Sequence, residues 1–178
     1  YRTIEQQKQI FIQAPTGTGK TLGTVFPTLK AMGAGACDFI FYLTAKTIAR
    51  TVAEDGCRLL QDHGLSLKRI TLTAKEKICP QGECICQPEL CRRAKGHFDR
   101  INDAIFDMIT HEDAMDRRTV EDYAERYQVC PYEFQLDTAE WCDMVIGDYN
   151  YAFDPDACLK RLYADPMKKR VLLVDEAH

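Results

Sequence analysis

Apolar and polar positions fall into blocks along this chain, and the period of the blocks changes twice. The run IFIQA at 10–14 has the length and composition of a buried strand and is expected to form the first one. A glycine-rich turn, PTGTGKT, leads from it into a segment with helical spacing from Thr21 to Met32, which Gly33 and Gly35 close. DFIFYLT at 38–44, rich in β-branched and aromatic residues, predicts a second strand. Residues 46–62 predict a helix with Ile48, Val52, Leu59 and Leu60 on its apolar face, and LKRITLT at 67–73 a third strand. At Lys75 the alternation stops. From Phe98 to Tyr127 the pattern is polar and helical, with Ile101, Ile105, Phe106 and Ile109 marking one apolar face. Strands resume at DMVIGDY (143–149) and RVLLVDE (170–176), and no internal repeat is visible.

Strands alternating with helices predict an α/β fold built on a parallel sheet. The stretch 75–141 then reads as a small, mostly helical insertion between a first part, 1–74, and a continuation, 142–178. A net charge of −4 over 178 residues, with 46% hydrophobic residues, excludes a disordered chain. It does not exclude nucleic acid, which answers to local basic patches. No apolar run reaches membrane length and no leader pattern opens the chain, so no membrane partner and a cytoplasmic location are expected. The absence of a starting methionine and the end just after a strand read as a fragment of a longer protein.

The chemistry concentrates in three places. Ala14-Pro15-Thr16-Gly17-Thr18-Gly19-Lys20-Thr21 follows an expected strand and opens an expected helix. Glycines let the backbone N–H groups curl inward and the helix N-terminus adds positive potential, which together cradle phosphates. Lys20 is expected to reach the β/γ-phosphates of ATP, and the Thr21 hydroxyl to bind Mg²⁺. The usual phosphate loop begins with glycine where this one has Ala14. At the other end, VLLVDEAH places Asp175 and Glu176 at the C-terminal end of an apolar strand, where open α/β sheets bind ligands. Asp175 is the expected Mg²⁺ ligand, Glu176 the group that orients and deprotonates water, and His178 a γ-phosphate sensor.

Nine cysteines are the third feature, and four of them lie within CPQGECICQPELC (79–91). In a reducing compartment such crowding points to metal. The spacing is Cys79-x₄-Cys84-x-Cys86-x₄-Cys91, with Cys130 far downstream and no C-x₂-C pair of the structural-zinc kind. Irregular spacing with a distant last ligand suits a [4Fe–4S] cluster on four thiolates, with zinc as the competitor. Cys79, Cys86, Cys91 and Cys130 are the expected ligands; Cys84 lies too close to Cys86 for both to serve and remains the alternative. Cys37, Cys57, Cys142 and Cys158 read as packing residues.

PTGTGKT, YLTAKTIART (42–51), a four-cysteine insertion ending in CPYEF, GDYNYAFDP and a final DEAH occur here in an order that resembles the XPD/DinG-type iron–sulfur DNA helicases of superfamily 2. The resemblance covers essentially the whole chain. It implies a RecA-like domain whose cluster insertion stands where a duplex is split, and an ATP-driven motor moving 5′→3′ on single-stranded DNA and at duplex/single-strand junctions. It also implies a second RecA-like domain beyond His178, without which hydrolysis should be weak. By position, Thr44, Lys46 and Thr47 fall in the motif that contacts the DNA backbone. Arg92 and Arg93, in RRAKGHFDR, add basic groups beside Phe98 that could hold phosphates. Two other classes compete: an iron–sulfur or zinc DNA-binding or redox-sensing module without productive turnover, and a nuclease partner gated by ATP.

Overall fold

The computed structural model describes residues 1–15 and 17–177. In chain order the elements are α1 (Arg2–Glu5), α2 (Lys20–Gly33), β1 (Phe39–Leu43), α3 (Thr47–Asp62), β2 (Arg69–Thr71), α4 (Lys75–Ile78), α5 (His97–His111), β3 (Ala114–Met115), α6 (Arg117–Tyr127), α7 (Pro131–Thr138), β4 (Met144–Gly147), α8 (Asn150–Phe153) and β5 (Arg170–Val174). They divide into two compact units: Tyr1–Ser66 with the segment from Asp143 onward, and Leu67–Cys142. The fold is α/β with parallel strands, as the alternation predicts. Among the described residues no helix is long and apolar enough to cross a membrane.

In the first unit β1 is the middle strand. It pairs in parallel with β4 (Ile40 opposite Met144) and with β5 (Ile40 opposite Val171). Every residue of FIFYL is buried, which is why the strand reads as an unbroken apolar run. β5 departs from the expected buried strand: Leu172 and Val174 are each 38% exposed. The run at 10–14 forms no strand at all, and Ile10, Phe11 and Ile12 are 62, 88 and 58% exposed. An apolar run becomes a strand only where a neighbour supplies ladder partners, and β5 takes its partner, β1, on one side alone. Helix α3 also turns the other way from its expected face. Ile48, Val52 and Leu59 are exposed, while Ala53 and Cys57 are buried. Small side chains allow the close approach: a Cβ on Gly56 would stand 3.5 Å from Leu22, and Cys57 Sγ lies 3.7 Å from Met144 Sδ.

The second unit is mainly helical. The expected continuous helical stretch from Phe98 to Tyr127 is two helices, because Asp116 stops the chain and restarts it as an N-cap, accepting the Thr119 N–H at 3.0 Å. In α5 the buried stripe is Ile101, Ala104, Ile105 and Met108, the i, i+3, i+4, i+7 pattern of one helix face. Phe106, expected on that face, is exposed. Gln135 of α7 is fully buried and holds the strand end at Thr73. It accepts from the Thr73 N–H at 2.8 Å and donates to the Thr73 carbonyl at 2.6 Å.

Candidate nucleotide site and thiol pocket

Gly17 and Gly19 adopt positive φ, 79° and 75°, a conformation in which a side chain is strained. Gly19 is the cap residue of α2, so the turn hands the chain directly to the helix N-terminus. Lys20 folds back over this turn and donates to the Ala14 carbonyl at 2.9 Å, while the Thr18 hydroxyl donates to the Pro15 carbonyl at 2.8 Å. The loop residues Ala14, Pro15, Gly17, Thr18 and Gly19 therefore form one curl, and Thr21 follows on the first turn of α2. Thr16 and His178 lie outside the described residues.

Asp175 leaves the end of β5 with its N–H bonded to the Leu43 carbonyl at 2.9 Å. The Tyr149 hydroxyl donates to the Asp175 backbone carbonyl. Tyr42 is 2% exposed, and both the Thr21 side chain and the Asp175 carboxylate are its neighbours. Burial first, and the Asp175 charge after it, push the Tyr42 hydroxyl up to about 12. No acceptor meets that buried hydroxyl with hydrogen-bond geometry. The two ends of the chain that sequence reasoning singled out, Thr21 and Asp175, thus stand around one buried tyrosine. A hydroxyl and a carboxylate facing an unpartnered buried donor make a set of hard oxygens that fits a partly hydrated Mg²⁺.

Glu176 has φ 52° and pairs with Lys46 at 2.5 Å. The hydrogen bond to Glu176 is the chief cause that holds the Lys46 ammonium above its ordinary range. Lys46 and Thr47 are exposed. Thr44 is not: it is 1% exposed and its hydroxyl accepts the Lys46 N–H at 3.3 Å, so it shapes the turn.

Cys79, Cys86, Cys91 and Cys130 line one small, solvent-open pocket in the second unit. Cys84 is not among its lining residues; it donates to the Lys75 carbonyl and neighbours Cys79. Lys75 hydrogen-bonds Cys86 and is raised chiefly by that contact. Burial pushes the Cys130 thiol up, while the N–H groups of Glu133 and Tyr132, at the start of α7, pull it down. Among the described residues no three His, Cys, Asp or Glu side chains converge closely enough to hold one metal ion. Four of the five thiols that the spacing singles out share one hollow.

The two arginines separate. Arg92 is exposed. The Arg93 side chain is 15% exposed and donates to the Ala124 carbonyl at 2.9 Å, to the Val129 carbonyl at 3.0 Å, and to the Glu125 carboxylate. It is occupied with holding the fold. Tyr42 and Lys75 are not legible in the sequence, since a tyrosine in an apolar strand and a lysine opening a one-turn helix carry no distinguishing pattern.

A profile of the DEAD_2 family matches residues 44–178. The chain is similar to the regulator of telomere elongation helicase 1 homologs of Caenorhabditis elegans and Caenorhabditis briggsae, at 22% identity in each case. Those alignments cover 98% of this chain and 22% of each relative, so the chain spans about a fifth of their length. With the match running from the β1 end through the thiol pocket to Asp175, this chain belongs to the DEAD_2 family of superfamily 2 helicases.

Proposed function

We propose that this chain is the nucleotide-binding front of an ATP-driven DNA helicase or translocase. Its nucleotide would be Mg²⁺–ATP, and its track single-stranded DNA up to a duplex/single-strand junction. The observation that carries this reading is the meeting of Thr21, which follows the glycine curl, with Asp175 at Tyr42. The backbone N–H groups of Gly17, Thr18 and Gly19 and the Lys20 ammonium would bind the β- and γ-phosphates, with Lys20 exchanging the Ala14 carbonyl for phosphate oxygen. Thr21 and Asp175 would hold Mg²⁺, which neutralises charge developing on the phosphates. Glu176 would orient and deprotonate the attacking water, and His178 would sense the γ-phosphate. Lys46, Thr47 and Arg92 would hold DNA phosphates without reading sequence. The 5′→3′ direction rests on the family resemblance.

In the same reading the unit around 75–141 carries a [4Fe–4S] cluster on Cys79, Cys86, Cys91 and Cys130. The shared pocket of those four thiols supports it. When bound, the cluster would tie residues distant in sequence into one rigid surface beside the DNA. The test is ATP hydrolysis by the purified protein with and without single-stranded DNA, with Lys20→Ala as control. DNA-stimulated turnover that the control abolishes supports the motor; nucleotide binding without turnover favours a sensing module instead. Visible absorption and iron content of oxygen-protected protein decide the cluster. Colourless material with stoichiometric zinc would remove it.

A further inference from the structure

Tyr42 sits on the central strand β1, between Leu173 of β5 and Ile146 of β4. Its ring belongs to the core, yet its hydroxyl ends at the two groups expected to hold the metal, Thr21 and Asp175. That hydroxyl is buried and meets no acceptor with hydrogen-bond geometry. A buried polar atom without a partner is costly, so it is retained where something absent from the bare protein satisfies it. The side chains of Thr21 and Asp175 stand beside it, and phenylalanine would fill the same space without the cost.

We propose that Tyr42 is a positioning residue of the Mg²⁺–nucleotide site, its hydroxyl donating into the coordination sphere that Thr21 and Asp175 share. The inference rests on the nucleotide reading above and deepens it. Because β1 is locked between two strands, Tyr42 presents this donor from a fixed point. Asp175, by contrast, lies just past the end of β5, tied by its own N–H to Leu43 and through its carbonyl to Tyr149. A donor fixed in the sheet would keep the carboxylate of Asp175 turned toward Thr21 rather than toward solvent.

The experiment titrates Mg²⁺ into the purified protein holding a fluorescent ATP analogue, comparing wild type with Tyr42→Phe, and repeats the nucleotide titration in chelator. Outer-sphere partners commonly change metal affinity by about 10-fold or more. The expected result is a half-saturating Mg²⁺ concentration about 10-fold higher in Tyr42→Phe, with unchanged nucleotide affinity in chelator and a melting temperature no lower than that of wild type. Equal Mg²⁺ half-saturation in the two proteins overturns the role of Tyr42 and leaves the nucleotide reading standing. A wild-type protein with no Mg²⁺-dependent binding overturns both. Should Tyr42→Phe melt early, Tyr42→3-fluorotyrosine replaces it: the ring stays and the donor strengthens, so Mg²⁺ half-saturation should fall, and no change would again overturn the proposal.

Discussion

Arg92 and Arg93 are neighbours in sequence and opposite in consequence. Replacing Arg93 by alanine removes a guanidinium whose Nη1 carries two bonds, to the carbonyls of Ala124 and Val129 at 2.9 and 3.0 Å. Both of those residues are fully buried, so water cannot take over the vacated places without opening the unit. A hydrogen bond from a charged donor contributes about 1.5–3 kcal/mol, and two on one nitrogen do not add fully, which suggests a loss of about 3 kcal/mol. The exposed Glu125 partner is left out of that sum, because solvent screens it. For a body of this size, about 3 kcal/mol corresponds to a fall of roughly 10 °C in melting temperature. Arg93→Lys should recover only part, since one ammonium cannot reproduce the planar fork.

Arg92→Ala is the matched control. Its side chain is exposed, and a surface change of this kind moves stability by about 0.5 kcal/mol or less. If it contacts a phosphate, its loss weakens single-stranded DNA binding and lowers the salt slope of that binding by about 0.7. Thermal denaturation and salt-dependent DNA titration on the two variants separate the roles. A normal melting temperature in Arg93→Ala, together with a shallower salt slope, would refute the scaffold argument and restore Arg93 to the DNA surface.

Gly19→Ala has open space for its methyl group but must hold φ near 75°, so it should cost about 1–2 kcal/mol and weaken ATP-analogue binding much more than it lowers the melting point. Equal nucleotide affinity in the variant would count against the curl as a phosphate cradle. The Asp107 carboxyl lies below its ordinary range, chiefly through the Tyr127 hydroxyl at 2.9 Å and then Arg126. A depressed carboxyl contributes stability that is full above its unfolded value and lost as pH falls through the folded one. Asp107→Asn should therefore be less stable than wild type at neutral pH, with the gap closing as pH drops below about 4 in acid-unfolding curves; a gap that persisted would contradict the pairing. Lys46→Ala removes the partner of Glu176 and an expected phosphate contact together, so DNA should stimulate its ATP turnover less than it stimulates wild type, measured as the ratio of rates with and without single-stranded DNA.

What could be read from the residues, and what could not, divides along physical lines. FIFYL announces a central parallel strand because burial on both faces leaves no polar position, and the glycine curl announces itself because positive φ demands glycine. The run at Ile10–Ile12 looks the same as FIFYL in composition and forms no strand, since hydrophobicity does not supply a hydrogen-bonding neighbour. The face of α3 was misread because the residues that pack are the small ones, Ala53 and Cys57, and size complementarity is invisible to a count of large apolar side chains. Tyr42 and Arg93 fail for a third reason. Their roles depend on partners that the chain brings near only on folding: Asp175 in one case, the carbonyls of Ala124 and Val129 in the other.

The spacing leaves Cys84 and Cys86 as alternative ligands. Two residues apart by one position in an extended stretch point to the same side, so both could have faced the pocket; in the structure only Cys86 lines it. The reason lies with Lys75, which hydrogen-bonds Cys86, while Cys84 is drawn to the Lys75 carbonyl and to Cys79. The four pocket thiols are also unequally supported. Cys130 caps α7, its N–H is accepted by the buried His97, and the residue before it is held by Arg93. Cys91 is buried in the same unit, whereas Cys86 is exposed within a stretch that is exposed from 82 to 90. Helices α5, α6 and α7 share a buried core of their own, with Ile101, Met108, Val120 and Phe134 in it, and that half is formed by packing. A cluster would organise chiefly the stretch from Cys79 to Leu90, closing it onto two thiols that the packed half already presents.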